Sequence, residues 1–389
     1  DADKISGSLV AAIFAAGGNA DLAANRVVIT WQGLPLATQV AALSALNTND
    51  RVAIDLDSAS FANALDLKWA AADANALLKT AQDKGVKADL SLTARGAGAV
   101  AKLSVGKLPE VDATQGVTAQ FGAIAVLAAG NLQGVAGSEA TFIAGLGGST
   151  AGSIAGPVRV QAAGAGSKAS FTALSNHALG TADVAAVTTG VGASANAMLR
   201  SSADRSLATG ALSSVSHGVA SDALVRAEGG SGGATASSAS AHAAGAGSTA
   251  TIDLAAAGGG LKIGTTSGSS FVHGDVSAIA SGSVLTTGDL TRGNLARVEL
   301  VPAAGSLAVG ATLAQASGLG SQASIVLGSG AGAVVVNGAA AIEASGMEST
   351  ASIRLSGKVA GTSTAPAVQL AGLSQSATGL VSNASTYIA

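Results

Sequence analysis

The chain contains no cysteine, and this absence excludes disulfide bonds and thiolate metal sites. Aromatic residues are almost as scarce, because six Phe, two Trp and one Tyr make up only 2% of 389 residues. Charged residues account for 11%, against about 25% in an average soluble protein. So few large side chains cannot fill a broad globular core, and the surface must be covered largely by Ser, Thr, Asn and Gly.

Long runs of positive charge and long apolar runs are also missing. Nucleic-acid binding needs clustered Lys and Arg, and the net charge is −3 with no such cluster, so we expect no nucleic-acid partner. The longest apolar stretch near the start, Leu9 to Ala16, is far shorter than the roughly 20 residues of a membrane span. We therefore predict no membrane span.

Two further features favour an extracellular or cell-surface location. Cytosolic proteins of this length usually keep a few thiols, whereas this chain has none. The sequence opens with "DADKISG" and no Met, as a mature exported form does after signal removal. We expect the protein to be exported.

What the chain has in abundance is glycine, with 53 residues, and one phrase that returns many times. The phrase joins a Gly/Ser turn, an Ala, a Ser or Thr and an apolar residue. Its copies include "GSEATFI" at 137, "GSKASFT" at 166, "GSTATIDL" at 247, "GSQASIVL" at 320 and "ESTASIRL" at 348. Nothing reactive surrounds these copies, so the phrase is predicted to be structural.

Aligning the apolar position of each phrase gives a period. Eight of the nine gaps are 26 to 29 residues long, and the gap before Phe271 is shorter. The aligned positions are Phe142, Phe171, Ala197, Ala223, Ile252, Phe271, Val298, Ile325, Ile353 and Gly379. Half a period later a second apolar cluster recurs, as at Val158/Val160 and Val334/Val336. Two strands and two Gly-rich corners per ~27 residues are what a β-solenoid coil needs.

Side-chain alternation agrees with strands in these phrases. In "TATIDLAA", Ala250, Ile252 and Leu254 point one way, and Thr251 and Asp253 point the other. The small Ala beside a larger aliphatic residue keeps the interior thin. The sequence therefore predicts a mainly β, elongated β-solenoid over residues 96–389, and the alternative is a Gly-rich antiparallel sandwich or barrel.

Residues 26–95 differ in pattern from the Gly-rich repeat region and predict a small α/β domain. The segments 26–31, 51–56 and 86–92 are β-branched or alternating runs typical of strands. Helical spacing lies between them, at 36–46 and from Ser60 to Gly85, where Phe61, Leu65, Trp69, Ala72 and Ala76 form one face. Residues 1–25 are left as an N-terminal segment, and its apolar part, Ile5 to Phe14, is a candidate for strand exchange.

The histidines offer little for metal binding or catalysis. The four residues are His177, His217, His242 and His273, with no local His-x-His or Glu-x-x-His spacing. Two of them could lie on neighbouring coils. We predict no metal site, no cofactor site and no catalytic residue.

Acidic residues are scattered, whereas glycoside hydrolysis needs two carboxyl groups ~5–10 Å apart. From residue 116 onward they are Glu139, Asp183, Asp204, Asp222, Glu228, Asp253, Asp275, Asp289, Glu299, Glu343 and Glu348. In the N-terminal region, Asp55 and Asp57 end a strand and could bind metal or substrate, although such residues more often cap a helix or face water. Gly-rich calcium turns need an Asp that these glycine clusters lack.

The repeated phrase resembles repeats of secreted bacterial surface proteins: autotransporter passengers, trimeric adhesin heads and holdfast-anchoring proteins. The resemblance covers residues from about 100 to 389 and implies an exported surface role. The chain departs from these families because it has no heptad stalk, no C-terminal barrel pattern and no acidic calcium turn. No functional residue is carried over from them.

We therefore expect a non-enzymatic extracellular structural protein, the subunit of a surface filament, appendage or layer assembled through strand edges. Self-association is the expected partnership. The first alternative is an adhesin or receptor-binding fibre that recognises polysaccharide, and the next is a polysaccharide-degrading solenoid enzyme. An ice-binding solenoid is weaker still, because regular outward Thr-x-Thr columns are missing.

Overall fold

The computed structural model describes residues 19–23, 26–30, 52–55, 64–83, 89–96, 98–112, 114–129, 137–147, 151–267, 270–282, 285–287, 290–330, 332–357 and 368–388. These residues are mainly β, and most strand pairs are parallel. The strands stack as in a β-solenoid, with two helices, α1 (Ala71–Asp83) and α2 (Pro109–Asp112), near the N-terminal end.

Face 1 is an 11-stranded parallel sheet. Its strands, in stacking order, are β4 (Ala64–Trp69), β6 (Val100–Val105), β8 (Glu139–Leu146), β11 (Lys168–Ser175), β14 (Ser194–Arg200), β16 (Asp222–Gly229), β18 (Thr249–Ala256), β24 (Leu295–Leu300), β27 (Gln322–Ser329), β29 (Thr350–Gly357) and β31 (Asn383–Ile388).

An 18-stranded sheet forms the rest of the stack and bends into face 2 and face 3. Face 2 contains β1 (Asn19–Ala23), β2 (Arg26–Thr30), β3 (Val52–Asp55), β5 (Asp89–Arg95), β7 (Ile124–Ala129), β10 (Val158–Ala163), β13 (Val184–Thr189), β21 (Val276–Ser281), β26 (Thr312–Ser317) and the later parts of β15 (Leu207–His217), β17 (Ala234–Ala244), β28 (Val334–Ser345) and β30 (Val368–Thr378).

Face 3 is the row of short strands at the other side of the bend. It contains β9 (Gly152–Ile154), β12 (Leu179–Thr181), β19 (Leu261–Ser267), β25 (Leu307–Val309) and the first residues of β15, β17, β28 and β30. The bend is visible in β15, where Leu207 pairs with Leu179 of β12 and Leu212 pairs with Val184 of β13. Each coil thus runs from face 1 through face 3 and face 2 to the next face 1 strand.

The core is a thin interior built from repeated columns. On face 1, one inward column is alanine in nine successive strands, each residue paired in register with the next and buried. Its members are Ala101, Ala140, Ala169, Ala195, Ala223, Ala250, Ala296, Ala323 and Ala351. The next inward column carries larger residues from Leu103 and Phe142 to Ile353, except at Ala197. The alanine of the repeated phrase therefore lets the opposing face approach closely.

Register corrects three members of the predicted alignment. Phe142, Phe171 and Ala197 do stack, but the next residue in that column is Val225 and not Ala223. Thr386, and not Gly379, stacks on Ile353. Phe271 lies outside face 1 in β20 (Ser270–His273), which pairs antiparallel with β19.

Phe271 therefore does not mark a shortened coil, and the short gap before it is not part of the repeat. Ile252 pairs directly with Val298, and the chain between them carries two inserted hairpins. One is β19–β20, and the other joins β22 (Leu285–Thr287) and β23 (Leu290–Arg292). Both hairpins branch from the chain between β18 and β24. These two strands still pair directly, so the face 1 sheet is not interrupted.

In the N-terminal region the predicted strands at 26–31, 51–56 and 86–92 correspond to β2, β3 and β5. The predicted helix from Ser60 starts too early, because residues 64–69 pair in parallel with β6 and the helix begins at Ala71. Its buried residues are Ala71, Ala74, Leu77 and Leu78, not Ala72 and Ala76. The predicted helix at 36–46 lies outside the described residues.

Strands on both sides of the predicted boundary between residues 95 and 96 belong to the same faces. β3 pairs with β5 and β5 with β7 on face 2, while β4 pairs with β6 on face 1. Helix α1 lies between β4 and β5, and the Asn75 Oδ1 accepts hydrogen bonds from the Thr118 and Ala119 N–H groups at 2.8 and 2.9 Å. Helix α1 therefore satisfies two backbone N–H groups in the segment between α2 and β7.

Candidate functional site

Two histidines lie on neighbouring coils, as predicted from their spacing. His217 of β15 and His242 of β17 have ring centroids 5.8 Å apart and meet edge to face. The pKa of His242 is lowered, first by burial and then by the neighbouring His217. His177 and His273 lie elsewhere, and His273 contacts Phe271 and Asn337. Within the described part of the chain, no three His, Cys, Asp or Glu side chains come together as a metal site would require.

Several acidic residues of the repeat region form surface ion pairs or accept hydrogen bonds from backbone N–H groups. On face 1, Glu139 pairs with Lys102 at 2.9 Å and Asp253 pairs with Arg226 at 3.4 Å, while Glu299 contacts Arg297. Burial raises the pKa of Asp253, and this effect outweighs the opposing one of Arg226. These carboxylates face outward on a flat sheet, where ion pairs contribute little stability.

Two aspartates bridge successive coils at one corner. The Asp183 Oδ1 accepts a hydrogen bond from the Ala211 N–H at 2.8 Å, and the Asp275 Oδ1 accepts one from the Ala311 N–H at the same distance. The residue before each donor, Gly210 or Gly310, has no side chain, and an added Cβ would lie 2.3 or 2.7 Å from the carboxylate oxygen. Both aspartates therefore satisfy a backbone donor of the next coil.

A buried polar column bridges the coils at the corner between face 2 and face 1. The Ser167, Ser221, Ser321 and Ser349 hydroxyls each donate to the last carbonyl of the next face 2 strand, at 2.9 to 3.3 Å. Asn294 occupies the equivalent place in its coil and donates to the Ser317 carbonyl, while its Oδ1 accepts from the Ser248 N–H at 2.8 Å. This column was missed in the sequence, although the serines after Gly166 and Gly320 in the repeated phrase were its signal.

A groove lies where β11, β14 and β16 end. It has a volume of about 400 Å³ and is lined by Pro109, Leu174, Ser175, Asn176, Arg200, Ser201, Ser202, Ala203, Glu228, Gly229, Gly230 and Ala257. Glu228 is the one carboxylate in this lining, and it lies in register with Arg200. Glycoside hydrolysis uses two carboxyl groups on opposite sides of the bond, and the lining of this groove does not supply the second one.

Aromatic platforms for sugars are also scarce among the described side chains. Phe121, Phe142, Phe171 and Trp69 are buried in the core. Tyr387 is exposed, but it lies on the last strand beside Arg354, with 5.7 Å from the guanidinium carbon to its ring centroid. Asp55 ends β3 in register with Ser91, and Asp57 lies outside the described residues.

The described helices include none that is long and apolar enough to cross a membrane. Asp183, Asp275, Asn294 and the buried serine column link successive coils. Comparison of the chain with protein-family models, with curated proteins and with solved structures finds no match.

Proposed function

We propose that the protein is a non-enzymatic structural subunit of an extracellular filament, appendage or surface layer. The observation that carries this proposal is the unbroken alanine column of face 1, from Ala101 to Ala351. Such a column supports one stiff body, because every coil contacts the next in the same register. Asp183, Asp275, Asn294 and the corner serines bridge successive coils, which favours a mechanical role over catalysis.

The basic unit of this body is a coil of about 27 residues, with insertions at the corners. The pairings Lys168–Ser194, Ser194–Asp222 and Asp222–Thr249 support this unit. The strands and helix of residues 26–95 form a small α/β cap at one end of the body. The Asn75 contacts with Thr118 and Ala119 support this role.

Assembly proceeds through the strand edges of the last coil. Among the described strands, β30 and β31 each pair on one side only, with β28 and β29. The same coil exposes Leu380, Val381, Tyr387 and Ile388, and Val381 is 85% exposed. Unpaired backbone groups beside exposed apolar side chains recruit further strands.

Lysines on this coil test the proposal, because charge on an edge opposes strand addition. Val381→Lys combined with Tyr387→Lys should leave the fold intact and abolish filaments in negative-stain electron microscopy. Val191→Lys is the matched control, since Val191 is a 59% exposed corner residue of an inner coil. Filaments that persist in the double variant, or a native protein that stays monomeric at all concentrations, would refute assembly through this edge.

The occupant of the edge is proposed to be the apolar segment Ile5 to Phe14 of a second copy. That segment lies outside the described residues, whereas the end of the predicted 1–25 segment forms β1. Deleting residues 1–16 should abolish assembly and preserve the circular dichroism spectrum. Assembly of the truncated protein at unchanged concentration would assign the edge to another segment.

A further inference from the structure

The outer surfaces of face 1 and face 2 differ in charge. Face 1 carries the outward ion pairs Arg226–Asp253 and Arg297–Glu299 near its middle. From β10 to β28, the outward positions of face 2 carry charge only at Arg159 and Glu343, among the described residues. The strands between them present small, hydroxyl or apolar side chains, two histidines and Gln315.

The centre of the face 2 surface is apolar and lies in one column. Val187, Val215, His242 and Ile279 occupy equivalent outward positions in successive strands, and each is half-buried by its neighbours in the stack. Such a column has the low charge density of the core of a protein–protein interface. One inserted hairpin precedes β21 in the chain and the other follows it, and neither adds a strand to this column.

The size of the surface suits a dimer. Seven strands spaced ~4.8 Å apart, each with six residues of ~3.3 Å rise, span an area of about 600–700 Å². A standard interface buries about 800 Å² on each partner. The area buried when two such surfaces pack against each other would therefore approach that of a standard interface. Flanking side chains would contribute the remaining area.

The two charges are placed for a two-fold arrangement. Arg159 lies on β10 and Glu343 on β28, at opposite ends of the seven strands, and β17 lies midway. A two-fold axis along β17 would place β10 of one copy over β28 of the other, twice in one dimer. Each Arg159 then lies two residues, about 6.6 Å along the strand, from the Glu343 of the second copy, an offset that two long side chains span. Such reciprocal pairing is the self-complementarity that an isologous interface requires.

We propose that face 2 is a lateral docking surface for a second copy of this chain, centred on His242 and closed at both ends by Arg159–Glu343 pairs. This contact goes beyond the strand-edge assembly proposed above and does not depend on it. It would join two solenoid bodies side by side, with the charged face 1 of each directed outward.

Reciprocal charge reversal tests the proposal in the Val381→Lys/Tyr387→Lys background, where strand-edge assembly is blocked. Sedimentation equilibrium at low salt should show a dimer. Arg159→Glu alone and Glu343→Arg alone should each weaken it about tenfold, because two like-charge contacts arise per dimer. The double reversal should restore the original dissociation constant. Lys262→Glu, an exposed change on face 3, should leave it unchanged.

Ile279→Lys gives a second arm, since it places a charge at the centre of the interface. It should abolish the dimer while the thermal unfolding midpoint stays within a few degrees of the parent. A monomer at all concentrations in the edge-blocked parent, or a dimer insensitive to both single reversals, would overturn the lateral contact. Filament formation in the edge variant is measured in a separate experiment. The strand-edge proposal and the lateral-contact proposal can therefore be refuted independently.

Discussion

Phe142 and Phe171 stack face to face across successive coils, with ring centroids 5.7 Å apart and an interplanar angle of 4°. Phe121 meets Phe142 edge to face at 6.1 Å, so three of the six phenylalanines form one cluster. In the next coil Ala197 occupies the same column. The aromatic side chains of the described core are therefore concentrated in its N-terminal coils, and the later coils depend on aliphatic side chains.

Removing one ring from this stack should be costly. Phe171→Ala should lower the free energy of unfolding by about 3–5 kcal/mol, because it leaves a cavity in a fully buried site. Urea unfolding provides the measurement. Phe271→Ala is the control, since Phe271 lies on the β19–β20 hairpin outside the core, and it should cost much less. Equal losses for the two variants would contradict the assigned columns.

Two glycines of one corner should respond very differently to alanine. Gly190 has φ +136°, and an added Cβ would lie 2.0 Å from the Gly164 carbonyl oxygen of the neighbouring coil. Gly192 has φ +67° with nothing within 4 Å of that position. Gly190→Ala should destabilise the protein by more than about 4 kcal/mol, and Gly192→Ala by about 1 kcal/mol. Thermal unfolding of the pair tests the close approach of the coils.

The corner aspartates predict a local effect on exchange. Asp183→Ala removes the acceptor of the Ala211 N–H and should cost about 1 kcal/mol, with faster hydrogen exchange at the Ala211 amide. Asp183→Asn keeps an acceptor oxygen and should retain most of the protection. Asp204→Ala, on an exposed turn, serves as the control. Unchanged exchange in Asp183→Ala would show that the carboxylate does not hold this donor.

His242 predicts a pH dependence on the acid side. Its folded-state pKa lies below the ordinary value of 6.5, so the unfolded chain takes up the proton first as the pH falls. Stability should therefore decrease from about pH 6.5 downward and level off once the folded protein is also protonated. The decrease should appear as a lower thermal unfolding midpoint at acidic pH. His242→Gln should remove this part of the acid-side decrease, and an identical pH profile in the variant would contradict the assignment.

Much of the fold follows from the sequence because its signals are local and repeated. The alternation of Ala250, Ile252 and Leu254 with Thr251 and Asp253 predicted β18 and its burial. The same reasoning failed at Phe271, because an inserted hairpin carries the same small and apolar residues as a coil strand. It also failed at residues 64–69, where helical spacing and strand alternation coincide and pairing with β6 decides.

The sequence did not predict that face 3 forms a row of short strands separate from face 2. Runs such as Leu207 to His217 read as one strand, and only their two sets of partners show that the chain turns within them. The coil-bridging roles of Asp183, Asp275 and Asn294 likewise depend on residues of the next coil. Spacing along the chain alone does not specify such contacts.

The uniform alanine column also bears on how such a chain can grow. Since every junction between neighbours uses the same narrow residue, duplicating or deleting a whole repeat would recreate a junction of the same shape. Tandem copying of the gene segment could therefore lengthen or shorten the rod without redesigning its interior, and its reach could be tuned in steps of about 4.8 Å.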